Sequence, residues 1–309
     1  MPTNVASSIL VLGVGELGRA MLPPLVAKAK AAGVAVSVLV HQSAGEQHHF
    51  VKSLGCEIVD GDLVAMSIET LSGIFARFDT ILNCVGFAIG AGTQIKLARA
   101  VLRAGIDRYF PWQFGIDYDL CGRGSCQEVF DEQLDVRALL RGQEQVKWVV
   151  ISTGMFLSFL FEPAFGVVDL PGGIVNALGS LENEVTVTTP EDIGLLTAKI
   201  LFAQPRIENE VVYVAGDTIA YGQLAGLIAE KLAVPFQTHF WDAPFLEGEI
   251  AKEPDDVMRK YRAVFAKEAG MAWPIDGTFN VRNGIPVTDI RTWIEENRNM
   301  LMSRMTQQA

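Results

Sequence analysis

A glycine-rich turn near the start of the chain constrains its fold more than any other feature. Gly13, Gly15 and Gly18 form a G-x-G-x-x-G pattern directly after the apolar run Ser8–Leu12, and a stretch with helical spacing follows and ends at Gly33. A short apolar run suits a strand buried on both faces, and a glycine commonly ends a helix. The pattern therefore predicts a strand, a tight turn and a helix, in that order.

The spacing of these glycines is typical of turns that bind the pyrophosphate of a dinucleotide. The first glycine permits the tight bend, the second lets the phosphate approach the backbone, and the third lets helix and strand pack closely. Backbone N–H groups at the start of the helix then face the phosphate. The alternative, a turn that binds nothing, is disfavoured by the flanking strand and helix. The expected cofactor contacts of the turn are Gly13, Gly15, Glu16, Leu17, Gly18 and Arg19.

The residues after the second predicted strand indicate which dinucleotide is bound. An NAD site normally has an acidic residue about 20 residues after the glycines, where it accepts a hydrogen bond from the ribose 2′-hydroxyl. Here the strand is followed by His41, Gln42 and Ser43, and the first acid is Glu46. We therefore expect no carboxylate that would repel a 2′-phosphate, and we expect Arg19 and the three residues after the strand to donate to it. NADP(H) is favoured. The alternative for Arg19 is a solvated position on the helix.

Apolar runs alternate with helical stretches through the first half of the chain. Further strands are predicted over residues 34–40, 56–59, 80–85, 108–111 and 147–151, and the clearest helices over 93–104 and 130–140. This alternation predicts an α/β fold, a Rossmann-type doubly wound parallel sheet with helices on both faces.

The pattern loosens after Ser152. Residues 156–176, rich in Phe, Pro and Gly, suggest loop and short helix, and Thr189 begins a helix that runs to about Phe202. A further strand is predicted over 211–214, and 302–309 are expected to fray. These features predict an NADP-binding domain over 1–155. Residues 156–309 are predicted to be mainly a smaller α/β substrate-binding region, in which about 186–216 pack back on the first domain.

Composition excludes several classes of protein. Half of the 309 residues are hydrophobic and 20% are charged, which excludes an intrinsically disordered chain. A net charge of −11 makes nucleic acid an improbable partner. There is no run of about 18 apolar residues, so no membrane span is expected, and the start Met1–Asn4 does not resemble a secretory signal. The four cysteines follow no disulfide framework, which favours the cytoplasm.

No metal site is predicted. His48 and His49 are adjacent and would point in different directions on a helix. Cys121 and Cys126 lie in a glycine-rich loop without a second pair or a nearby histidine, so zinc ligation is improbable.

A set of short motifs follows the glycine turn in a definite order. They are Gly61-Asp62-Leu63, Asn83-Cys84-Val85-Gly86, Gln94, Phe110-Pro111-Trp112-Gln113-Phe114-Gly115 and Thr189-Pro190-Glu191-Asp192-Ile193-Gly194. Over about residues 8 to 290 the chain resembles the NmrA-like, isoflavone reductase-like branch of atypical short-chain dehydrogenases. The resemblance implies NADPH-dependent reduction of aromatic, phenylpropanoid-type compounds. It also implies further cofactor contacts from Val85, Gly86, Phe87, Gln113, Phe114, Met155 and Phe156.

Three departures from the family pattern affect the expected chemistry. Val14 stands where the family usually has Thr, and Trp112-Gln113 stands where it usually has Ser-Glu. Gln133 occupies the position of the lysine that the family's reductases carry. None of the tyrosines has a lysine four residues later, so the usual short-chain dehydrogenase pair is absent. The resemblance therefore supports cofactor binding better than it supports the family's acid–base chemistry.

Two residues are the candidates for catalysis. Gln133 can hydrogen-bond to a nicotinamide amide or a substrate oxygen, but it has no proton to exchange near neutral pH. Tyr118 is the nearest hydroxyl in the segment, and the alternative for it is a partly buried loop tyrosine.

The sequence leaves three functions open. The first is an NADP(H)-dependent reductase that transfers a hydride to an aromatic or conjugated small molecule, as a monomer or homodimer. The second is a non-catalytic NADP(H)-binding sensor that regulates a partner protein, which the missing lysine favours. A third, weaker alternative is a lyase or isomerase that retains the nucleotide.

Overall fold

A computed structural model describes residues 8–306. The expectations for Met1–Asn4 and for residues 307–309 therefore lie outside the described residues. The chain forms two compact units. The first comprises the described residues up to Phe114 together with Glu132–Ile151 and Ile193–Val212. The second comprises Gly115–Asp131, Ser152–Asp192 and the described residues from Tyr213 onwards.

Residues 8–306 form strands and helices that alternate through the first half of the chain. The strands are β1 (Ser8–Leu12), β2 (Ala35–Val40), β3 (Glu57–Asp60), β4 (Thr80–Asn83), β5 (Arg108–Phe110), β6 (Lys147–Ser152), β7 (Met155–Phe156), β8 (Val168–Asp169), β9 (Ile174–Leu178), β10 (Glu184–Thr188), β11 (Glu210–Tyr213), β12 (Asp217–Ala220) and β13 (Gln237–Trp241). The α-helices are α1 (Glu16–Ala32), α2 (Gly45–Ser53), α3 (Ile68–Phe75), α4 (Thr93–Ala104), α5 (Tyr118–Cys121), α6 (Glu128–Arg141), α7 (Pro190–Leu201), α8 (Tyr221–Leu232), α9 (Ala243–Lys252), α10 (Val257–Phe265), α11 (Phe279–Arg282), α12 (Ile290–Glu296) and α13 (Arg298–Thr306). Three 3₁₀ helices span Phe87–Ile89, Leu157–Phe161 and Ile275–Gly277.

Seven strands form one sheet in the order β11-β6-β5-β4-β1-β2-β3. The neighbouring pairs from β3 to β6 are all parallel. Residues Ile9 to Leu12 of β1 have no exposed surface, as expected for a strand covered on both faces. The predicted doubly wound α/β fold is confirmed.

The strand order reverses at β1, and this reversal creates the place where a ligand can bind. From β1 the chain moves through β2 to β3 on one side, and then returns to β4 on the other side of β1. Crossover connections leave β1 and β4 in opposite directions, so a crevice opens beyond the carboxyl ends of these strands. The glycine turn follows β1 directly, at this crevice.

Gly194 lets α7 approach α1 closely. A Cβ atom at this position would lie 2.6 Å from the carbonyl oxygen of Ala20 and 2.8 Å from the Cα of Met21. Real Cβ atoms do not approach backbone so closely, so only glycine fits. The last residue of the Thr189–Gly194 motif therefore stabilises the helix that carries the glycine turn.

The ends of six predicted strands differ by one or two residues from the observed ones. β2 begins one residue later than expected, β5 ends one residue earlier, β6 ends one residue later and β11 lies one residue earlier. β3 begins and ends one residue later than expected, and β4 ends at Asn83 instead of Val85. The side-chain oxygen of Asn83 accepts a hydrogen bond from the Val85 N–H at 3.0 Å. The chain turns here because a side chain takes the donor that a continuing strand would use.

The second unit contains more strand than the sequence predicts. Residues 156–176 include the expected short helix, but also β8 and the start of β9. Two three-stranded sheets form, with orders β12-β10-β7 and β13-β9-β8. β10, β12 and β13 were not predicted, because each is only four or five residues long and pairs with strands distant in sequence. The expected fraying from residue 302 is wrong as far as Thr306, where α13 ends.

Gly194→Ala and Gly73→Ala make the same change in two helices with opposite expected results. At Gly194 the new methyl group would overlap α1, so we expect a loss of about 1–3 kcal/mol in the free energy of unfolding. At Gly73, in α3, nothing lies within 4 Å of the added Cβ, and alanine should gain up to about 1 kcal/mol over glycine. Urea denaturation measures both. Equal effects would contradict the close approach of α7 to α1.

Candidate functional site

The three glycines of the turn differ in backbone conformation and in what surrounds them. Gly13 has φ +84°, and a Cβ there would lie 2.5 Å from Cγ2 of Val85. A Cβ on Gly18 would lie 2.5 Å from the carbonyl oxygen of Gly13. Gly15 has φ −76° and nothing within 4 Å of its Cβ position. The protein itself therefore requires the first and third glycines, whereas the second faces open space, where a ligand can approach the backbone.

Helix α1 begins at this open position. Gly15 is its N-cap and has no side chain with which to cap the helix. Its carbonyl accepts the Arg19 N–H at 2.9 Å, which begins the helical hydrogen bonds. A helix that starts without a side-chain cap presents backbone N–H donors and the positive end of its dipole, which together favour an anion.

A cavity of about 370 Å³ lies at the turn. Its walls come from the glycine turn, the end of β2, the loop after β3 and the loop after β4. The lining residues are Gly13, Val14, Gly15, Leu39, Val40, His41, Gln47, Gly61, Asp62, Leu63, Val64, Cys84, Val85, Gly86, Ala88 and Ile89. The structure thus brings together five predicted contacts, Gly13, Gly15, His41, Val85 and Gly86. It adds the Gly61–Leu63 motif, which the sequence associates with the family but not with the site.

Asp62 shapes the part of the cavity that follows β3. Its Oδ1 accepts hydrogen bonds from the backbone N–H groups of Ala65 and Val64 at 2.9 and 2.8 Å. These bonds lower the pKa of the Asp62 carboxyl below its usual value, so it is ionised at neutral pH. Oδ2 lies 3.5 Å from Nε2 of His41, whose Nδ1 lies 2.7 Å from the Ser43 hydroxyl. The carboxylate therefore orients the imidazole at the cavity.

A buried amide network holds the loop after β4. Asn83 Nδ2 donates to Gln94 Oε1 at 2.9 Å, and Gln94 Nε2 donates to the carbonyl of Val85 at 2.8 Å. The ring of Phe87 packs edge-on against Trp112 with centroids 4.5 Å apart. A Cβ on Gly86 would lie 3.0 Å from Trp112, so the loop lies close to the indole. Asn83 and Gln94 thus position Val85 and Gly86 and do not line the cavity themselves.

Arg19 is paired with a carboxylate, contrary to expectation. Its Nη2 donates to Oε1 of Glu46 at 2.8 Å, and its guanidinium lies 5.1 Å from the ring centroid of Phe50. The expectation that no carboxylate would repel a 2′-phosphate did not take into account that Glu46, the first acid after β2, pairs with Arg19. The reason is that α2 begins at Gly45, immediately after the turn that follows β2, and its first residues reach Arg19. Gln42 lies exposed in that turn.

The two main departures from the family pattern contact each other. Gln113 Nε2 donates to the Gln133 side-chain oxygen at 2.7 Å and to its backbone carbonyl at 3.0 Å. Gln113 Oε1 accepts from Nε of Arg137 at 2.7 Å. Both glutamines have no exposed surface and Arg137 is 1% exposed. Within residues 8–306, Nε2 of Gln133 is left without a hydrogen-bond partner.

The two glutamine side chains of this network carry no charge. Neither glutamine can donate or accept a proton near neutral pH, whereas Arg137 is charged. Phe114, which follows Gln113, is also buried. The network can orient neighbouring side chains and can keep an amide N–H donor in a low-dielectric environment. Its amides cannot act as a general acid.

Tyr118, Met155 and Phe156 belong to the second unit. Tyr118 is 2% exposed and packs edge-on against Phe130, with ring centroids 5.1 Å apart. The residue before it, Asp117, is also buried and accepts the Tyr213 hydroxyl at 2.7 Å. Met155 and Phe156 form the short strand β7, paired with β10. Sequence reasoning missed the Tyr213–Asp117 pair, since 96 positions separate the two residues.

The described residues contain neither a cluster of metal-ligating side chains nor a helix that could span a membrane. Over positions 8–306, no group of three or more His, Cys, Asp or Glu side chains is placed to hold a metal ion. All four cysteines are free. The helices of the same region are too short or too polar to cross a bilayer.

The parallel sheet, its reversal at β1 and the glycine turn that leads into α1 define a Rossmann-type fold. A family model described as NmrA-like matches residues 6–279. The chain belongs to the NmrA-like family, so the resemblance inferred from the ordered motifs is confirmed.

Three proteins illustrate what the chain is similar to. It is 41% identical over 301 residues to an NmrA-like family domain-containing oxidoreductase of Gibberella moniliformis, covering 94% of this chain and 98% of that one. It is 25% identical to phenylcoumaran benzylic ether reductase Betv6 of Betula pendula, covering 94% and 97%. The fold superposes with a TM-score of 0.75 on the binary complex of leucoanthocyanidin reductase and NADPH from Vitis vinifera, at 18% identity, covering 94% and 99%.

Gln133→Lys should show that the buried network accepts no unpaired charge. The added ammonium would be buried in a network that already contains the Arg137 guanidinium, so we expect a loss of about 3–5 kcal/mol in unfolding free energy. Adding Gln113→Glu should recover most of this loss, because a carboxylate would then lie between the two cations.

The control is Gln133→Met, which is neutral and of similar length. It leaves the Gln113 amide with one fewer acceptor and should cost about 1–3 kcal/mol. Urea denaturation compares all three variants. If Gln133→Lys alone is as stable as Gln133→Met, the neutral network has no part in excluding charge.

Proposed function

We propose that the protein is an NADP(H)-dependent reductase that transfers a hydride to an aromatic or conjugated small molecule. The glycine turn is the main observation that supports this proposal. Of its three glycines only Gly15 faces open space, and a cavity lies beside it where the strand order reverses. Membership of a family with a 41% identical oxidoreductase supports the reaction class. The benzylic ether reductase among its relatives supports an aromatic substrate.

The residues of the turn fit a dinucleotide. The N-terminus of α1, including Glu16, Leu17 and Gly18, would hold the pyrophosphate, since the N–H groups of an uncapped helix are suited to phosphate oxygens. The loops after β2, β3 and β4 would enclose the adenosine end. Arg19, His41, Gln42 and Ser43 would donate to a 2′-phosphate, which favours NADP(H) over NAD(H).

The nicotinamide, when bound, supplies the hydride. We assign Val85, Gly86, Phe87, Gln113, Phe114, Met155 and Phe156 to holding this end of the cofactor. The free Nε2–H of Gln133 would donate to the nicotinamide amide or to a substrate oxygen. Tyr118 is the proposed proton donor. The two amides have no proton to give, so they would stabilise developing charge on the substrate by hydrogen bonds alone. The proton itself would come from Tyr118.

A non-catalytic NADP(H) sensor is the second candidate. The observation that favours it is the Gln113–Gln133 pair, which places two amides where the family pattern has Glu and Lys. A sensor needs the nucleotide site but no acid or base. Monomer or homodimer, and a cytoplasmic location, remain predictions from the sequence.

Gly15→Ala should separate cofactor binding from folding. The new methyl group meets no protein atom within 4 Å and the backbone is in a region open to alanine, so stability should be unchanged. The methyl group would occupy the space of the pyrophosphate, so NADPH affinity should fall about tenfold or more. Isothermal titration calorimetry measures the affinity, and Gly73→Ala is the control. Unchanged NADPH affinity in a folded Gly15→Ala variant would remove the turn from the binding site.

Turnover separates the reductase from the sensor. Purified protein with NADPH and a panel of aromatic ketones, enones and benzylic ethers should oxidise the cofactor, and Gly15→Ala should lower that rate through a higher KM for NADPH. Gln133→Ala should also lower the rate. NADPH binding without turnover on any acceptor, together with co-purification of a protein partner, would support the sensor instead.

A further inference from the structure

An ion pair lies beside the proposed nucleotide site. Its cation is the only lysine or arginine side chain among the predicted cofactor contacts. Arg19 of α1 donates to Glu46 of α2 at 2.8 Å. Phe50, one turn further along α2, lies under the same guanidinium. Gly15, whose carbonyl bonds the Arg19 N–H, lines the cavity, and so does Gln47, the neighbour of Glu46. The pair is therefore attached on both sides to residues of the cavity wall.

A carboxylate beside the proposed site would affect the two nicotinamide dinucleotides differently. A 2′-phosphate carries close to two negative charges, and a carboxylate on the cation that should bind it opposes its approach. A ribose 2′-hydroxyl is a donor, and a carboxylate accepts from it. The same side chain thus disfavours one nucleotide and favours the other.

The second carboxylate at the site cannot exchange partners so readily. Asp62 is tied by Oδ1 to two backbone N–H groups of its own loop, and it faces His41 with Oδ2. The side chain of Glu46 is 87% exposed. The Glu46 carboxylate can therefore separate from Arg19, whereas the Asp62 carboxylate is held in place by its own loop.

We propose that Glu46 limits the preference of this protein for NADPH over NADH. This inference rests on the proposed nucleotide site. Arg19 serves either nucleotide: it is released to the 2′-phosphate when NADPH binds, and it stays with Glu46 when the ribose carries a hydroxyl. The resulting protein accepts both nucleotides with a modest preference.

The test measures NADPH and NADH affinity by calorimetry at low ionic strength in four proteins: wild type, Glu46→Gln, Arg19→Gln and the double variant. Glu46→Gln should tighten NADPH by about three- to fivefold, the range of an exposed ion pair, and leave NADH equal or weaker. In the Arg19→Gln background the same change should have a smaller effect on NADPH, because the cation it releases is gone.

Glu69→Gln is the matched control. Glu69 pairs with Arg103 at 2.6 Å on the surface of the same unit, so its removal changes net charge equally. Tightening of NADPH by Glu69→Gln to the same degree, or no tightening by Glu46→Gln, would overturn the proposal. Failure of the proposed nucleotide site looks different, because wild type would then bind neither nucleotide.

Discussion

The contact between Gly18 and the carbonyl of Gly13 determines the geometry of the site. Because Gly18 has no side chain, α1 can begin directly over the end of β1 with its first turn against the strand. Gly194 allows a comparable approach on another part of α1, where α7 packs. Both contacts fix the helix whose N-terminus would hold the phosphates. Between the two packed glycines of the turn, the backbone at Gly15 stays open.

The site combines rigid and exchangeable parts. The loop after β4 is held by buried amides, and the loop after β3 is held by the Asp62 carboxylate, so the walls of the cavity are preorganised. The Arg19–Glu46 pair is exposed and can change partners. Selectivity between nucleotides can therefore depend on one surface ion pair, while binding depends on backbone packed into the fold.

The sequence predicts the first half of the molecule well because local patterns carry the information there. The apolar run of β1, the glycine turn and the spacing of α4, whose predicted and observed bounds agree, are all local signals. The Asn83 side chain that ends β4 and the Glu46 carboxylate on Arg19 depend on contacts across the fold, so the sequence alone could not locate them. The sequence alone does not predict the short strands of the second unit for the same reason, since each depends on a distant partner.

In the proposed complex, backbone N–H groups at the start of α1 bind a dinucleotide pyrophosphate. Hydrogen–deuterium exchange with and without NADPH tests this directly, because it reports on those amides. We expect slower exchange in a peptide covering Gly13–Gly18, with protection also in the loops after β2, β3 and β4. Binding of NADPH that leaves exchange over Gly13–Gly18 unchanged would contradict it.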